Sequence, residues 1–100
     1  MIQLVTTSKR AQKSLRQVPH QVAVAFVFWR ESVKEHGLEQ VQKIPGYHDE
    51  VLHGRLRGLR SFRLSLGYRG YYRIVKNTVT FVMVEEVNKH DYKKIERIFD

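Results

Sequence analysis

Arginines recur among aromatic and aliphatic residues in RSFRLSLGYRGYYRIV, residues 60 to 75. Guanidinium groups bind phosphate bidentately, and tyrosine rings offer surfaces on which unpaired bases stack. The interval between Glu50 and Glu85 contains no acid but holds seven cations, which are Arg55, Arg57, Arg60, Arg63, Arg69, Arg73 and Lys76. This block predicts a basic patch that binds a polyanion such as RNA. The alternative is that the arginines only solvate one face of a sheet.

The parity of a hairpin decides whether these arginines share a face. Alternating apolar residues predict strands over 61–66 and 68–76, and TVTFVMV, which is apolar on both parities, predicts a further strand over 78–87. A two-residue loop would turn arginines of the second strand inward, and burying an unpaired guanidinium costs several kcal/mol. We therefore predict a three-residue loop, Leu66 to Tyr68. That loop puts five residues on one face, which are Arg63, Ser65, Arg69, Tyr71 and Arg73.

The elements before this hairpin are a strand and two helices. IQLVTT reads as the first strand, Ser8 caps a helix over KRAQKSLRQ, and Pro19 ends it. A second helix runs from about residue 20 to 36 and is closed by Gly37. Residues 37–60 carry turn signals and read as irregular, and HDYKKIERIF reads as a closing helix. The order β-α-α-β-β-β-α predicts an α+β domain, with two helices on one face of a mostly antiparallel four-stranded sheet. The other face would be left open for the arginines.

The second helix has a wider apolar surface than one packed face needs. Its core stripe has helical spacing and comprises Val22, Ala25, Phe26, Trp29 and Val33. Val24, Val27 and Phe28 extend that stripe. We expect these three side chains to pack against the first helix and the sheet, and the alternative is that a partner protein covers them.

Composition limits the class of protein. One hundred residues without a linker make one domain, residues 1–100, and the net charge of +8 favours a polyanionic partner. MIQLVTTSKR is charged too early for a signal peptide. The longest apolar run, VAVAFVFW, is far shorter than the ~20 residues of a membrane helix. We therefore expect a soluble, cytoplasmic protein with no membrane contact.

Neither thiol chemistry nor a metal site is expected. Cysteine is absent, which excludes a thiol nucleophile and thiolate metal ligands. His48 and His53 flank Asp49 and Glu50, but their spacing matches no established metal motif. We predict no metal and no other cofactor.

The element order, with LHGRLRGLRSFRLSLGYRGYYRIV followed by EVNKHDY, resembles the RelE/ParE superfamily of type II toxin–antitoxin toxins. The resemblance covers nearly the whole chain and is closer to the mRNA-cutting RelE and YoeB branches than to ParE. It implies a RelE-like fold and a metal-independent, ribosome-dependent mRNA interferase acting in the ribosomal A site. In that family the RNA 2′-hydroxyl attacks its own 3′-phosphate, leaving a 2′,3′-cyclic phosphate and a free 5′-hydroxyl.

The resemblance also implies roles for individual residues. Glu50, in DEVLHG, matches the YoeB-like general base, and without it the mechanism would rely on cations alone, as in RelE. Arg63 matches the phosphate-binding strand residue and Arg69 the transition-state arginine, and both also follow from the predicted shared face. His90 matches the general-acid histidine, a suitable donor near neutral pH. Tyr92 resembles the aromatic residue that orients or stacks on a base.

The remaining basic residues and one tyrosine are assigned to RNA contacts and not to chemistry. This RNA- and ribosome-binding set comprises Arg55, Arg57, Arg60, Tyr71 and Arg73. Implied partners are a cognate acidic antitoxin in a hetero-oligomer, the 30S ribosomal subunit and mRNA. Two other functions stay open, which are a ParE-like inhibitor of DNA gyrase and a non-catalytic RNA-binding homologue.

Overall fold

A computed structural model describes residues 1–87, in which one strand is followed by three helices and then by four further strands. In chain order these are β1 Leu4–Thr7, α1 Lys9–Gln17, α2 His20–His36, α3 Leu38–Gln42, β2 Glu50–Val51, β3 Arg60–Ser65, β4 Tyr68–Val75 and β5 Thr78–Glu86. Two 3₁₀ turns, Pro45–Tyr47 and Gly54–Leu56, flank β2. The predicted α+β class is confirmed. Residues 37–60 are more ordered than predicted, because α3 and the short β2 lie within them.

The limits of α1 and α2 follow the local signals in the sequence. The Ser8 side chain accepts a hydrogen bond from the backbone N–H of Ala11 at 3.0 Å, so it caps α1 as predicted. Pro19 disfavours helical geometry in the residue before it, which ends α1. Gly37 closes α2 with a φ of 86°, a conformation costly for other residues, and its N–H donates to Val33 at 2.9 Å.

The sheet has the strand order β1-β5-β4-β3-β2. β1 pairs with β5 in parallel, and all other pairs are antiparallel. The predicted four strands are thus joined by a fifth, because Glu50 and Val51 pair with Ser61 and Arg60 at the start of β3. β5 lies between β1 and β4, as its apolar residues of both parities predict.

The main core lies between the helices and one face of the sheet. The predicted stripe of α2 is buried at Val22, Phe26, Trp29 and Val33. Trp29 stacks on Phe62 of β3 with ring centroids 4.2 Å apart and planes 14° apart. Ala11 of α1 is buried in the same core, so α1 and α2 lie on the same face of the sheet, as predicted.

The outer face of α2 departs from the prediction. Val24, Val27 and Phe28 are 37%, 42% and 67% exposed and so do not pack against α1 and the sheet. The stripe of α2 is wider than the surface that the sheet and α1 offer to it. The prediction that these three side chains pack against the first helix and the sheet is wrong.

The second face of the sheet carries its own small cluster. Residues between β2 and β3 fold over the sheet, and the cluster comprises Leu52, Leu56, Leu59, Tyr71, Val82 and Met83. The register of β4 with β5 shifts at Val82, so Val82 and Met83 both join this cluster. The predicted open face is therefore wrong at its centre, because apolar residues of the 52–59 segment cover it.

Candidate active site

Arg63 and Arg69 lie directly opposite each other on β3 and β4, so they share one face. The predicted three-residue loop is wrong, since Ser65 pairs with Tyr68 and only Leu66 and Gly67 form the loop. A β-bulge at Leu64 restores the parity that the shorter loop would have inverted. The two arginines therefore share a face as predicted, but a β-bulge and not a three-residue loop places them there.

Arg69 is held from the β2 side by three acceptors. Its Nη2 donates to Ser61 Oγ at 2.8 Å, to the His48 carbonyl at 3.2 Å and to Glu50 Oε1 at 3.3 Å. The Arg69 side chain is only 17% exposed. A guanidinium fixed in this way needs little reorganisation to stabilise a negative charge that develops beside it.

Glu50 reaches Arg69 because β2 pairs Glu50 with Ser61, one strand away from β4. The Glu50 side chain is 60% exposed, so its carboxylate is accessible to solvent while it contacts the guanidinium. A carboxylate beside an arginine on an open surface combines a proton acceptor with an anion stabiliser. The assignment of Glu50 as a base stays a prediction.

His48 contributes its backbone to the site. It adopts the left-handed conformation, with φ 45° and ψ 47°, between the 3₁₀ turn Pro45–Tyr47 and β2. Histidine is among the residues enriched in this region among those with a Cβ. The turn directs the His48 carbonyl towards Arg69.

A buried network fixes the segment that carries His48 and Glu50. Asp49, with a side chain only 1% exposed, accepts hydrogen bonds from Arg60 Nε at 2.7 Å and from the Tyr72 hydroxyl at 2.6 Å. Gln42 of α3 donates to the same hydroxyl at 2.9 Å. Burial and the hydrogen bond to Asp49 both raise the pKa of Tyr72, so this hydroxyl keeps its proton.

This network corrects the assignment of Arg60 to RNA. Arg60 lies opposite Tyr72, which packs in the main core, so Arg60 is on the helix side of the sheet and away from Arg63 and Arg69. Burial lowers its pKa, but the hydrogen bond and charge of Asp49 outweigh burial and the pKa is raised. Arg60 is therefore a structural partner of Asp49.

Contrary to the prediction, Tyr71 also cannot bind RNA by stacking on a base. Its side chain is fully buried in the second cluster, so its ring is not available for stacking on a base. Arg73 stays on the same face, partly buried opposite Thr80. Arg73 follows Arg69 by four residues along β4, so their Cα atoms lie about 13 Å apart, with Tyr71 between them. Ser65 pairs with Tyr68 of the main core and so leaves the arginine face.

The other predicted residues lie at the edge of the site or outside the described chain. Arg55 and Arg57 are exposed in and just after the 3₁₀ turn Gly54–Leu56. His90 and Tyr92 lie outside residues 1–87. Within the described part of the chain, no three His, Cys, Asp or Glu side chains form a group that could hold a metal ion.

Two residues at the site were not predicted from the sequence. Ser61 is 1% exposed and accepts from Arg69, and Glu85 of β5 lies directly opposite Arg69. Ser61 alternates with buried Phe62, which places it on the arginine face. Glu85 could be found only once the pairing of β4 with β5, including its bulge, was known.

Solved structures share this fold. One chain of the RelBE2 toxin–antitoxin complex from Mycobacterium tuberculosis is 23% identical over 86% of this chain and 99% of its own, with a TM-score of 0.62. A chain of the archaeal RelE–RelB complex from Pyrococcus horikoshii is 20% identical over 90% of this chain and 100% of its own, with a TM-score of 0.68. A chain of the YoeB–YefM complex from Staphylococcus aureus is 19% identical over 81% of this chain and 92% of its own, with a TM-score of 0.63.

Sequence comparisons add no further likeness, since no protein-family model and no curated protein sequence matches the chain. Among residues 1–87, no helix has the length and apolar character needed to cross a membrane. The structural likeness agrees with the resemblance seen in the sequence motifs. The chain has the fold of the RelE and YoeB toxins.

Proposed function

We propose that this chain is the toxin of a type II toxin–antitoxin system and that it cuts mRNA in the ribosomal A site. The observation that carries the proposal is the contact between Glu50 and Arg69 at 3.3 Å, with Arg63 opposite Arg69 on the next strand. A base, a transition-state cation and a phosphate-binding cation then face one surface. This is the set that internal attack of a 2′-hydroxyl on phosphate requires.

The first half of the reaction uses Glu50 and Arg69. The Glu50 carboxylate takes the proton of the 2′-hydroxyl, whose oxygen attacks the adjacent phosphorus. Negative charge then grows on the non-bridging oxygens, where the guanidinium of Arg69 stabilises it. Support comes from the exposure of Glu50 and from the bonds that hold Arg69 to Ser61 and His48.

The second half releases the 5′-oxygen. His90 donates a proton to this leaving oxygen, so the products are a 2′,3′-cyclic phosphate and a free 5′-hydroxyl. Arg63 binds the phosphate and Tyr92 orients a base. Arg55 and Arg57, exposed beyond the site, contact RNA backbone, which makes binding salt-dependent. The roles of His90 and Tyr92 rest on the sequence resemblance.

The proposed protein partner is an acidic antitoxin. The structures that share this fold include toxin–antitoxin complexes, and this chain has a net charge of +8. An extended acidic segment could pair with Arg63 and Arg69 and block access to Glu50. Cytoplasmic location is part of the same proposal, because the ribosome and mRNA are there.

Reconstituted translation with a stalled mRNA tests the proposal. Purified protein is added with and without ribosomes, and the RNA ends are mapped. We expect cleavage at the A-site codon only with ribosomes, and a 2′,3′-cyclic phosphate at the new RNA end. Glu50→Gln and Arg69→Ala should each lower the cleavage rate by at least about a hundredfold.

Controls separate loss of chemistry from loss of fold. Arg69→Lys keeps a positive charge without the planar guanidinium and should stay folded but cleave poorly. Arg16→Ala removes an exposed arginine of α1, far along the chain from the site, and should cleave as the unchanged protein does. Full activity in folded Arg69→Ala would contradict the proposal. A folded wild-type protein without cleavage would favour gyrase inhibition, tested next by supercoiling.

A further inference from the structure

A cleft of about 350 Å³ lies beside Arg63, at the end of the sheet nearest the β3–β4 loop. Its walls are mostly apolar and are formed by Ile44, Tyr47, Leu64 and Leu66, and the other described residues that line it are Gly46, Arg63 and Ser65. Leu66 is 88% exposed and Ile44 is 43% exposed. The cleft therefore presents apolar side chains to solvent next to the candidate active site.

The topology of the sheet explains why this cleft exists. β2 pairs with β3 only at Arg60 and Ser61, so within residues 1–87 no strand lies along this edge of the second half of β3. The 3₁₀ turn Pro45–Tyr47 packs near this edge, and the Tyr47 ring contacts Phe62 edge-on with centroids 6.1 Å apart. The bulge at Leu64 sends Leu64 towards the core and Arg63 towards Arg69.

We propose that this cleft receives a nucleobase of the RNA adjacent to the cleaved phosphate. The proposal rests on the proposed function and adds to it a site for base recognition. Arg63 joins the two places, because it is one of the residues that line the cleft and it lies opposite Arg69 in the sheet. A phosphate bound between the two arginines would carry one of its flanking bases to the apolar walls.

Size and chemistry favour a base over other occupants. Small-molecule sites range over ~300–1,000 Å³, and this cleft is at the lower end, which suits a single ring system. Tyr47 supplies an aromatic edge and the leucines supply apolar contact. Arg63, the one charged residue among the described residues of the lining, supplies the cation that a phosphate requires. An acidic peptide would meet the same cation but would gain little from the apolar walls.

Binding of a trinucleotide that cannot be cleaved tests the proposal. The probe carries a 2′-deoxy sugar at the position of the attacking hydroxyl, and two further probes lack either the first or the third base. For the wild-type protein, removing the base that occupies the cleft should weaken binding about tenfold, the scale of one stacked base. The double variant Ile44→Ser/Leu66→Ser should bind the complete probe about as weakly as the wild type binds the probe without the cleft base. Removing that base should not weaken binding to the double variant any further.

A matched control is available at the far end of the sheet. Ile74 is 43% exposed, the same fraction as Ile44, so Ile74→Ser tests the loss of an exposed isoleucine away from the cleft. It should keep the full dependence on the base. The proposal is overturned if the double variant keeps that dependence too, or if neither base matters to the wild-type protein.

The translation assay distinguishes this failure from failure of the proposed function. If the wild-type protein cuts mRNA and the double variant cuts with the same base preference, the cleft proposal fails and the function stands. If the wild-type protein shows the base dependence in binding but never cuts mRNA, the function fails and the base site stands.

Discussion

Replacing Asp49 with alanine should destabilise the fold by about 1.5–4 kcal/mol. The change leaves the buried Tyr72 hydroxyl without its acceptor, which costs about 1–3 kcal/mol. Loss of the ion pair with Arg60 adds about 0.5–1 kcal/mol, less than for a fully buried pair, because that arginine is 27% exposed and water can solvate it. For a chain of this size, a loss of 2 kcal/mol lowers Tm by at least about 8 °C.

Urea unfolding of five proteins measures this prediction: the wild type, Asp49→Ala, Asp49→Asn, Tyr72→Phe, and Tyr72→Phe combined with Asp49→Ala. Asp49→Asn keeps an acceptor for the Tyr72 hydroxyl and should lose only about 1 kcal/mol. In a Tyr72→Phe background, Asp49→Ala should cost at least about 1 kcal/mol less than in the wild type, because the two residues share one hydrogen bond. Equal costs in the two backgrounds, or a loss of unfolding free energy below about 1 kcal/mol for Asp49→Ala, would refute the reasoning.

The Asp49→Asn variant should also cleave mRNA more slowly at unchanged ribosome affinity, since Asp49 anchors the segment that carries Glu50.

Three further changes test the core, the pH dependence and the surface of α2. Gly70→Ala should cost about 1–3 kcal/mol in urea unfolding, because a Cβ there would lie 2.8 Å from ring carbons of Phe62 and Phe81. The raised pKa of Tyr72 stabilises the fold below the usual tyrosine pKa of 10.0, and this contribution is lost as the pH rises above it. Urea midpoints of the wild type should therefore fall more steeply between pH 9 and about 11 than those of Tyr72→Phe. Phe28→Ser should change stability by less than about 0.5 kcal/mol, and a large loss would mean that α2 is covered in solution.

Local patterns in the sequence were sufficient for most of the elements. The helical spacing from Val22 to Val33, the cap at Ser8 and the stop at Gly37 predicted α1 and α2 within the limits found. Alternation predicted β3 and β4, and a run of residues apolar on both parities predicted β5, each within one residue at each end. These signals are reliable because they depend on residues within a turn or two of one another.

Other features could not be predicted because they depend on distant pairing. β2 has only two residues and exists only because Ser61 and Arg60 lie beside it. The bulges at Leu64 and Val82 shift two registers without any glycine signal. Burial of Tyr71 depends on leucines that precede it by 12 to 19 positions in the chain.

The candidate site divides in the same way. The sequence by itself determined the basic block, its position on a hairpin and the presence of Glu50 before it. Only the tertiary structure decided which cation meets that carboxylate. Arg60 pairs with Asp49, and buried Tyr71 separates Arg73 from Arg69. Arg69 on β4 reaches Glu50 on β2, with β3 between them. The physical reason is that composition and spacing specify which side chains exist on a strand, whereas strand register and bulges specify which of them share a surface.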